Sequence, residues 1–316
     1  MRAKWRSILE KNGVFLVFVA VVVVFCFTAP HFATWGNARV IITHSTVIAI
    51  AALGLTVVMT AGEIDLSLGG TIGFLGAFFV GLVMKSHFPA GAAAILCVVI
   101  GLIWGVLNGW LVTRWSLSSF LVTVAMLFLG MGFERAYSHG LSVWLSRDLR
   151  LVYKGFLWGI PNAIFFLLGL YIPFWLWSNQ TRTGHHIRAI GENTEAAREA
   201  GIKIQSLKVL AFSIAGGLYA VAGLLETMRA SGAIAYAGMD VMLPALGATF
   251  LGATMFRRGP NVLGTLVGSL LFGTITNAFT LFGAPFYLIP LVQGLLLVAA
   301  VSVSTLGDRR IRQVKF

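Results

Sequence analysis

Charge is scarce in this chain. Asp, Glu, Lys and Arg make up 11% of its 316 residues, against roughly a quarter in soluble domains. With 58% hydrophobic residues and a mean hydropathy of +0.89, the apolar content exceeds what a soluble core needs, so the solvent is lipid. Acidic residues are the rarest charge, 11 against 23 Lys and Arg, for a net charge of +12. In a soluble protein that excess would raise the question of nucleic acid, but here basic cytoplasmic loops account for it. Cysteine is nearly absent. Cys26 and Cys97 both lie inside apolar runs without a C-x-x-C or a Cys/His grouping, and read as buried small apolar side chains.

The chemical motifs are missing too. There is no G-x-x-x-x-G-K-[ST], so a P-loop nucleotidase is excluded, and no H-E-x-x-H or G-x-S-x-G. His44, His87, His139, His185 and His186 make no metal spacing, so no catalytic or metal residue is assigned. No series of carboxylates inside the apolar runs suggests a proton relay, which weakens a proton-driven carrier.

What the chain has is apolar runs. Ten uncharged stretches stand near 14–30, 40–61, 66–84, 89–112, 116–133, 155–177, 207–225, 241–256, 260–282 and 284–304. The expectation is an all-α integral membrane protein of about ten transmembrane helices. The short runs 66–84 and 241–256 are candidates for broken or re-entrant spans. Arg2, Lys4, Arg6 and Lys11 precede the first run. That run resembles a signal peptide but lacks a small-x-small cleavage site, and reads as an uncleaved first helix. With the N-terminus inside, 16 of the 23 Lys and Arg fall on the inner side, Arg257, Arg258, Arg309, Arg310, Arg312 and Lys315 among them. Both termini are therefore expected in the cytoplasm. Trp35, Trp110, Trp115, Trp158, Trp175 and Trp177 fall near the expected interfaces, where an amphipathic ring sits well. One membrane domain, 1–316, is expected, with an outer loop at 134–154 and an inner loop at 178–206.

The inner loop is a polar island. Asn193 is a suitable N-cap. Glu195 stands in the first turn, where the helix dipole favours an anion. Ala196, Ala197 and Ala200 favour helix, and Gly201 can end it as a left-handed residue. About two turns result, with Glu195 and Glu199 on one face beside Arg198. The bland alternative is a solvated connector.

A second feature is Ala61-Gly62-Glu63-Ile64-Asp65-Leu66-Ser67-Leu68-Gly69-Gly70. Two carboxylates stand at the head of an apolar run, and Asp65 or Ser67 can cap the following helix. Such an end beside a pore offers hydrogen bonds to a polyhydroxy solute or positions a gate. The alternative is a simple cap at the membrane surface. A third feature is Gly101, Gly105 and Gly109, spaced by four, with Asn108 beside them. This is a close-packing face, and Asn108 is expected to lock two helices. Gly264 and Gly268 repeat the theme. Glu226 and Arg229, three apart, are expected to pair, and Asp240 to cap the following span.

Together these residues resemble the membrane permeases of ABC importers of the ribose type, kin to branched-chain amino acid permeases, over residues 40 to 304. The family motif G-G-I-D-L-S-V-G is similar to Gly62-Glu63-Ile64-Asp65-Leu66-Ser67-Leu68-Gly69, with Glu63 where the family has glycine. Its N-G is matched by Asn108-Gly109. The stretch T-x-x-G-x-x-x-x-A-I-G-x-N-x-x-A-A-x-x-x-G-I is matched by Thr181, Gly184, Ala189, Ile190, Gly191, Asn193, Ala196, Ala197, Gly201 and Ile202. The late glycine-rich region is thinner here, and the family's E-L gives way to Met239-Asp240-Val241-Met242.

The resemblance implies the pore subunit of a binding-protein-dependent importer in the bacterial inner membrane, translocating a sugar or related polyol. A branched-chain amino acid permease is the near alternative, and a secondary transporter the alternative of another class. It implies a second permease subunit, identical or homologous, two ATP-binding subunits or one duplicated ATPase, and a soluble solute-binding protein. ATP and magnesium would be held by the ATPase, with no cofactor in this chain. Gly191, Asn193, Glu195, Ala196, Ala197, Arg198, Glu199 and Gly201 would form the coupling element. Asp65, Ser67 and Asn108 would belong to the path or its gate.

Overall fold

A computed structural model describes residues 2–140, 142–255, 259–285 and 287–299, with side chains from Phe15 onward. Arg257, Arg258 and the C-terminal basic residues, together with the side chains of Arg2, Lys4, Arg6 and Lys11, lie outside the described residues. Helix dominates, in the order α1 (Arg2–Thr28), α2 (Trp35–Thr60), α3 (Leu68–Met84), α4 (Ala90–Arg114), α5 (Ser119–Ser138), α6 (Arg147–Lys154), α7 (Asn162–Gln180), α8 (Arg182–Glu192), α9 (Thr194–Glu199), α10 (Ile204–Ala230), α11 (Ala237–Thr254) and α12 (Val262–Leu281). A further helix, α13, covers Leu288–Ala299. Among the described residues, α2, α4, α5, α10, α11 and α12 are long and apolar enough to cross a membrane. The expected runs 14–30, 66–84 and 284–304 correspond to shorter apolar helices.

Helix α2 is the axis of the bundle. It packs on α10, α12, α11 and α7, while α3 packs between α5, α10 and α11. The residues from Ser45 to Val58 are buried without a break, so this helix meets protein rather than lipid on every side, as a helix apolar all round should. Several polar atoms inside are satisfied across helices. The Thr56 and Thr265 hydroxyls lie 2.7 Å apart. The Tyr171 hydroxyl donates to the Ala49 carbonyl at 2.9 Å, and that of Tyr153 to the Thr43 carbonyl at 2.7 Å. In lipid such groups have no water to turn to.

The spaced glycines do what their pattern predicts. A Cβ on Gly101 would stand 2.5 Å from the Gly216 carbonyl oxygen, one on Gly109 2.7 Å from the Val209 Cα, and one on Gly105 would run into the Phe212 carbonyl. Helices α4 and α10 therefore meet backbone to backbone. Gly264 and Gly268 make the same approach to α11, at the Gly252 and Ala248 carbonyls.

Two sets of small elements mark opposite ends of α2. At its start, Arg39 lies over the rings of Trp35 and Phe156, 5.1 and 4.7 Å from their centroids. Phe156 belongs to a short hairpin, β2 (Phe156–Leu157) with β3 (Ile160–Pro161). Nearby, β1 (Val143–Trp144) pairs with β4 (Gly232–Ala233) at the end of α10. At its other end, α2 meets α8.

Several boundaries differ from the sequence expectation. Residues 134–138 continue α5 and are not loop, and α7 runs on to Gln180. The run 155–177 divides into the hairpin and α7 because Gly159 turns the chain with φ +78°. Cys97 is buried as expected, but Cys26 on α1 is exposed. Glu226 and Arg229 pair as expected, through two bonds of 2.6 and 2.7 Å. Asp240 is not a cap. It stands inside the first turn of α11, which starts after a left-handed Tyr236 with no side-chain cap. The Tyr236 amide donates instead to the Glu134 carboxylate of α5 at 3.1 Å.

Candidate coupling and gating site

The polar island folds as two helices. Thr181 opens α8 by accepting from the Gly184 amide at 3.2 Å. Asn193 ends it and opens α9, its side-chain oxygen accepting from the Ala196 amide at 3.2 Å. At the far end of α9 the Ile202 amide donates to the Ala197 carbonyl and the Gly201 amide to that of Arg198, both at 3.0 Å. Gly201 has φ +76°, the left-handed turn such a paired closure requires. Both ends of this six-residue helix are thus fixed locally.

One side of α9 faces the protein. Ala197 is buried, while Glu192, Asn193, Glu195, Ala196 and Glu199 are exposed. Arg198 and Glu195 pair in the open, with side chains 65% and 74% exposed. Pairs of this kind contribute about 0–1 kcal/mol, so the charges on this face do little for the fold.

Gly191 ties the island to the bundle. A Cβ there would run into the Thr60 carbonyl and stand 3.1 Å from the Gly62 nitrogen. Gly62, at φ +80°, turns the chain out of α2 into the segment that leads to α3. This break is where Asp65 lies. Its Oδ1 accepts from the Ser67 amide at 2.9 Å and from the Ser67 hydroxyl at 2.6 Å. The Ser67 hydroxyl accepts in turn from the Asn108 amide of α4 at 2.8 Å. All three residues are buried. Asp65 acts three residues ahead of α3, and Ser67, at the N-cap position, makes no side-chain cap bond. The three sequence-chosen residues form one network joining the break to α4, and Asn108 locks two segments as its position suggested.

Two participants, Tyr219 and Lys208, were not singled out from the sequence. Tyr219 of α10 lies beside Asp65, its ring against Gly54. Asp65 Oδ2 and Tyr219 Oη are both buried and face one another. Glu63 and Lys208, near the foot of α10, form an ion pair. They border a cavity of about 660 Å³ that Thr113, Thr194, Arg198 and Lys203 also line. Two of those residues come from α9, so this helix and the pair line the same cavity.

Comparison with known proteins identifies the architecture. Residues 37–301 match the family described as "Branched-chain amino acid transport system / permease component". The chain belongs to this family. It is 29% identical over 312 residues to the ribose import permease of Escherichia coli K12, covering 94% of each chain. It is 28% identical over 308 residues to an L-arabinose ABC transporter permease of Azospirillum brasilense, covering 94% of this chain and 88% of the relative. It is 30% identical over 279 residues to an autoinducer 2 import permease of an Enterobacter strain, covering 83% of each. The protein is a transport permease rather than an enzyme, and a multi-pass protein of the membrane.

Proposed function

We propose that the chain is the pore-forming subunit of an ATP-driven, binding-protein-dependent importer of a sugar or related polyol. Two of the relatives above are named for ribose and arabinose, which supports a sugar over the branched-chain amino acid of the family's description. The observation that carries the reading is α9: capped at both ends, exposed on its Glu195 and Glu199 side, and joined through Gly191 to the end of α2. A partner ATPase that holds ATP and magnesium grips that face, and the chain itself makes and breaks no bonds.

In this reading the α8–α9 island lies in the cytoplasm, both termini lie on the same side, and the hairpin end faces outward. The path forms against a second permease subunit, and a solute-binding protein delivers cargo at the outer end. Asp65, Ser67 and Asn108 act as a gate lock rather than a solute site, because all three are buried and hydrogen-bonded to one another inside the protomer.

The test is purification of the tagged chain in mild detergent with mass spectrometry of what remains bound, alongside uptake of D-ribose and L-arabinose. A stoichiometric partner carrying a P-loop supports the reading. A chain that comes out alone, even after crosslinking, and transports without an ATPase is a secondary transporter.

A further inference from the structure

Glu63 and Lys208 are 145 residues apart, and each side chain is only 16% exposed. A nearly enclosed ion pair holds its geometry because separating it leaves an uncompensated charge. What it joins is specific. Glu63 sits in the break, two residues before Asp65, and its amide donates to the Val58 carbonyl at 3.2 Å. Lys208 sits in the second turn of α10, one residue before Val209, which packs against Gly109 beside Asn108. The same break touches α5, through the Ile64 amide and the Ser119 hydroxyl at 3.3 Å. The pair also borders the 660 Å³ cavity that Thr194 and Arg198 of α9 line. Beside that cavity, α9 has room to move, and the pair is the charged contact between the break and α10.

We propose that Glu63 and Lys208 are positioning residues for coupling: their ion pair locks the break to the foot of α10, so that displacement at α9 moves the break and α10 together and reaches the Asp65–Ser67–Asn108 network. The inference rests on the coupling role given to α9 above. Gly191 pressed on Thr60 and Gly62 carries the displacement from α8 into the break, and the pair carries it on into α10. Without the pair the break would move alone, and the strain would be lost as local rearrangement of a segment that a left-handed Gly62 already lets turn freely.

The test uses the complete complex with its ATP-binding subunit. Ile64, exposed in the break, is changed to cysteine in a Cys26→Ser background, Cys97 being buried. Maleimide labelling of Ile64→Cys is timed with and without a non-hydrolysable ATP analogue. With the pair intact the analogue should change the rate about fivefold or more, the lower range of a coupling between sites. Glu63→Gln with Lys208→Met removes both charges together and leaves no orphan. It should hold the ATP-binding subunit as before while the response falls below about twofold. The exchange Glu63→Lys with Lys208→Glu should restore the response.

A full response in the neutral variant overturns the inference, as does failure of the exchange in an assembled complex. Loss of the ATP-binding subunit from the neutral variant overturns it as well, making the pair a docking element. No response in the parent background overturns it while leaving the proposed function to stand on uptake. Absence of any ATPase from the parent instead removes the proposed function itself.

Discussion

Asp65 and Glu195 are both carboxylates close to the start of a helix, yet the molecule uses them in opposite ways. Asp65 is enclosed, with one oxygen accepting twice from Ser67 and Asn108 completing the chain of bonds. Glu195 stands in the open on a helix that Asn193 already caps, paired only with its neighbour Arg198. An enclosed carboxylate must have partners within the fold, because its desolvation is otherwise too costly. An exposed one on a locally closed helix is surplus to the fold and available to a partner. The break at 61–67 is therefore where substitutions should damage the protomer, and α9 is where they should damage only what the protomer does with others.

Substitutions separate the two regions, starting from the packed interior against which both are measured. Gly105→Leu forces a side chain into the Phe212 carbonyl. Two backbones cannot yield as side chains do, so the cost should reach or pass the ~3 kcal/mol upper range of overpacking. The expected outcome is loss of the monodisperse peak in detergent gel filtration. Asp65→Ala strands the Ser67 amide and hydroxyl. It should lower stability by about 2–3 kcal/mol, seen as a reduced Tm, whereas Asp65→Asn retains an acceptor and should alter transport with ATPase binding intact.

Asn193→Ala removes only the side-chain cap of α9, at about 1 kcal/mol. The loss should appear as faster amide exchange confined to 194–202. Glu195→Lys with Glu199→Lys is the smallest expected change in stability, within about 0.5 kcal/mol, and the largest in capture of the ATP-binding subunit. A variant that unfolds there, or an Asp65→Ala protein as stable as the parent, would erase the contrast.

The two regions also differ in how far the sequence disclosed them. Helix α9 was legible because its signals are adjacent: a cap at Asn193, alanines, a stop at Gly201. Helix α8 was missed, since Gly184, two histidines and Gly191 give no strong propensity and its placement comes from contact with Thr60. The glycine pattern on α4 announced a close approach but could not say that α10 makes it, because spacing describes one surface and not its partner. Asp65, Ser67 and Asn108 were chosen for their residue types. Their connection spans 41 residues and has no local trace. Lys208 appeared only as one more cytoplasmic charge. Its link to Glu63 is a product of tertiary packing, and the sole hint was a carboxylate at a position where the resembling family has glycine.

The most direct test is a single cysteine at Glu199→Cys in a Cys26→Ser background, crosslinked in native membranes with a short bifunctional maleimide and compared with Trp158→Cys at the hairpin end. The account predicts that Glu199→Cys captures a P-loop ATPase and that Trp158→Cys does not. Capture from Trp158→Cys, or from neither position while the chain still transports, would contradict the assignment of α9 as the coupling helix.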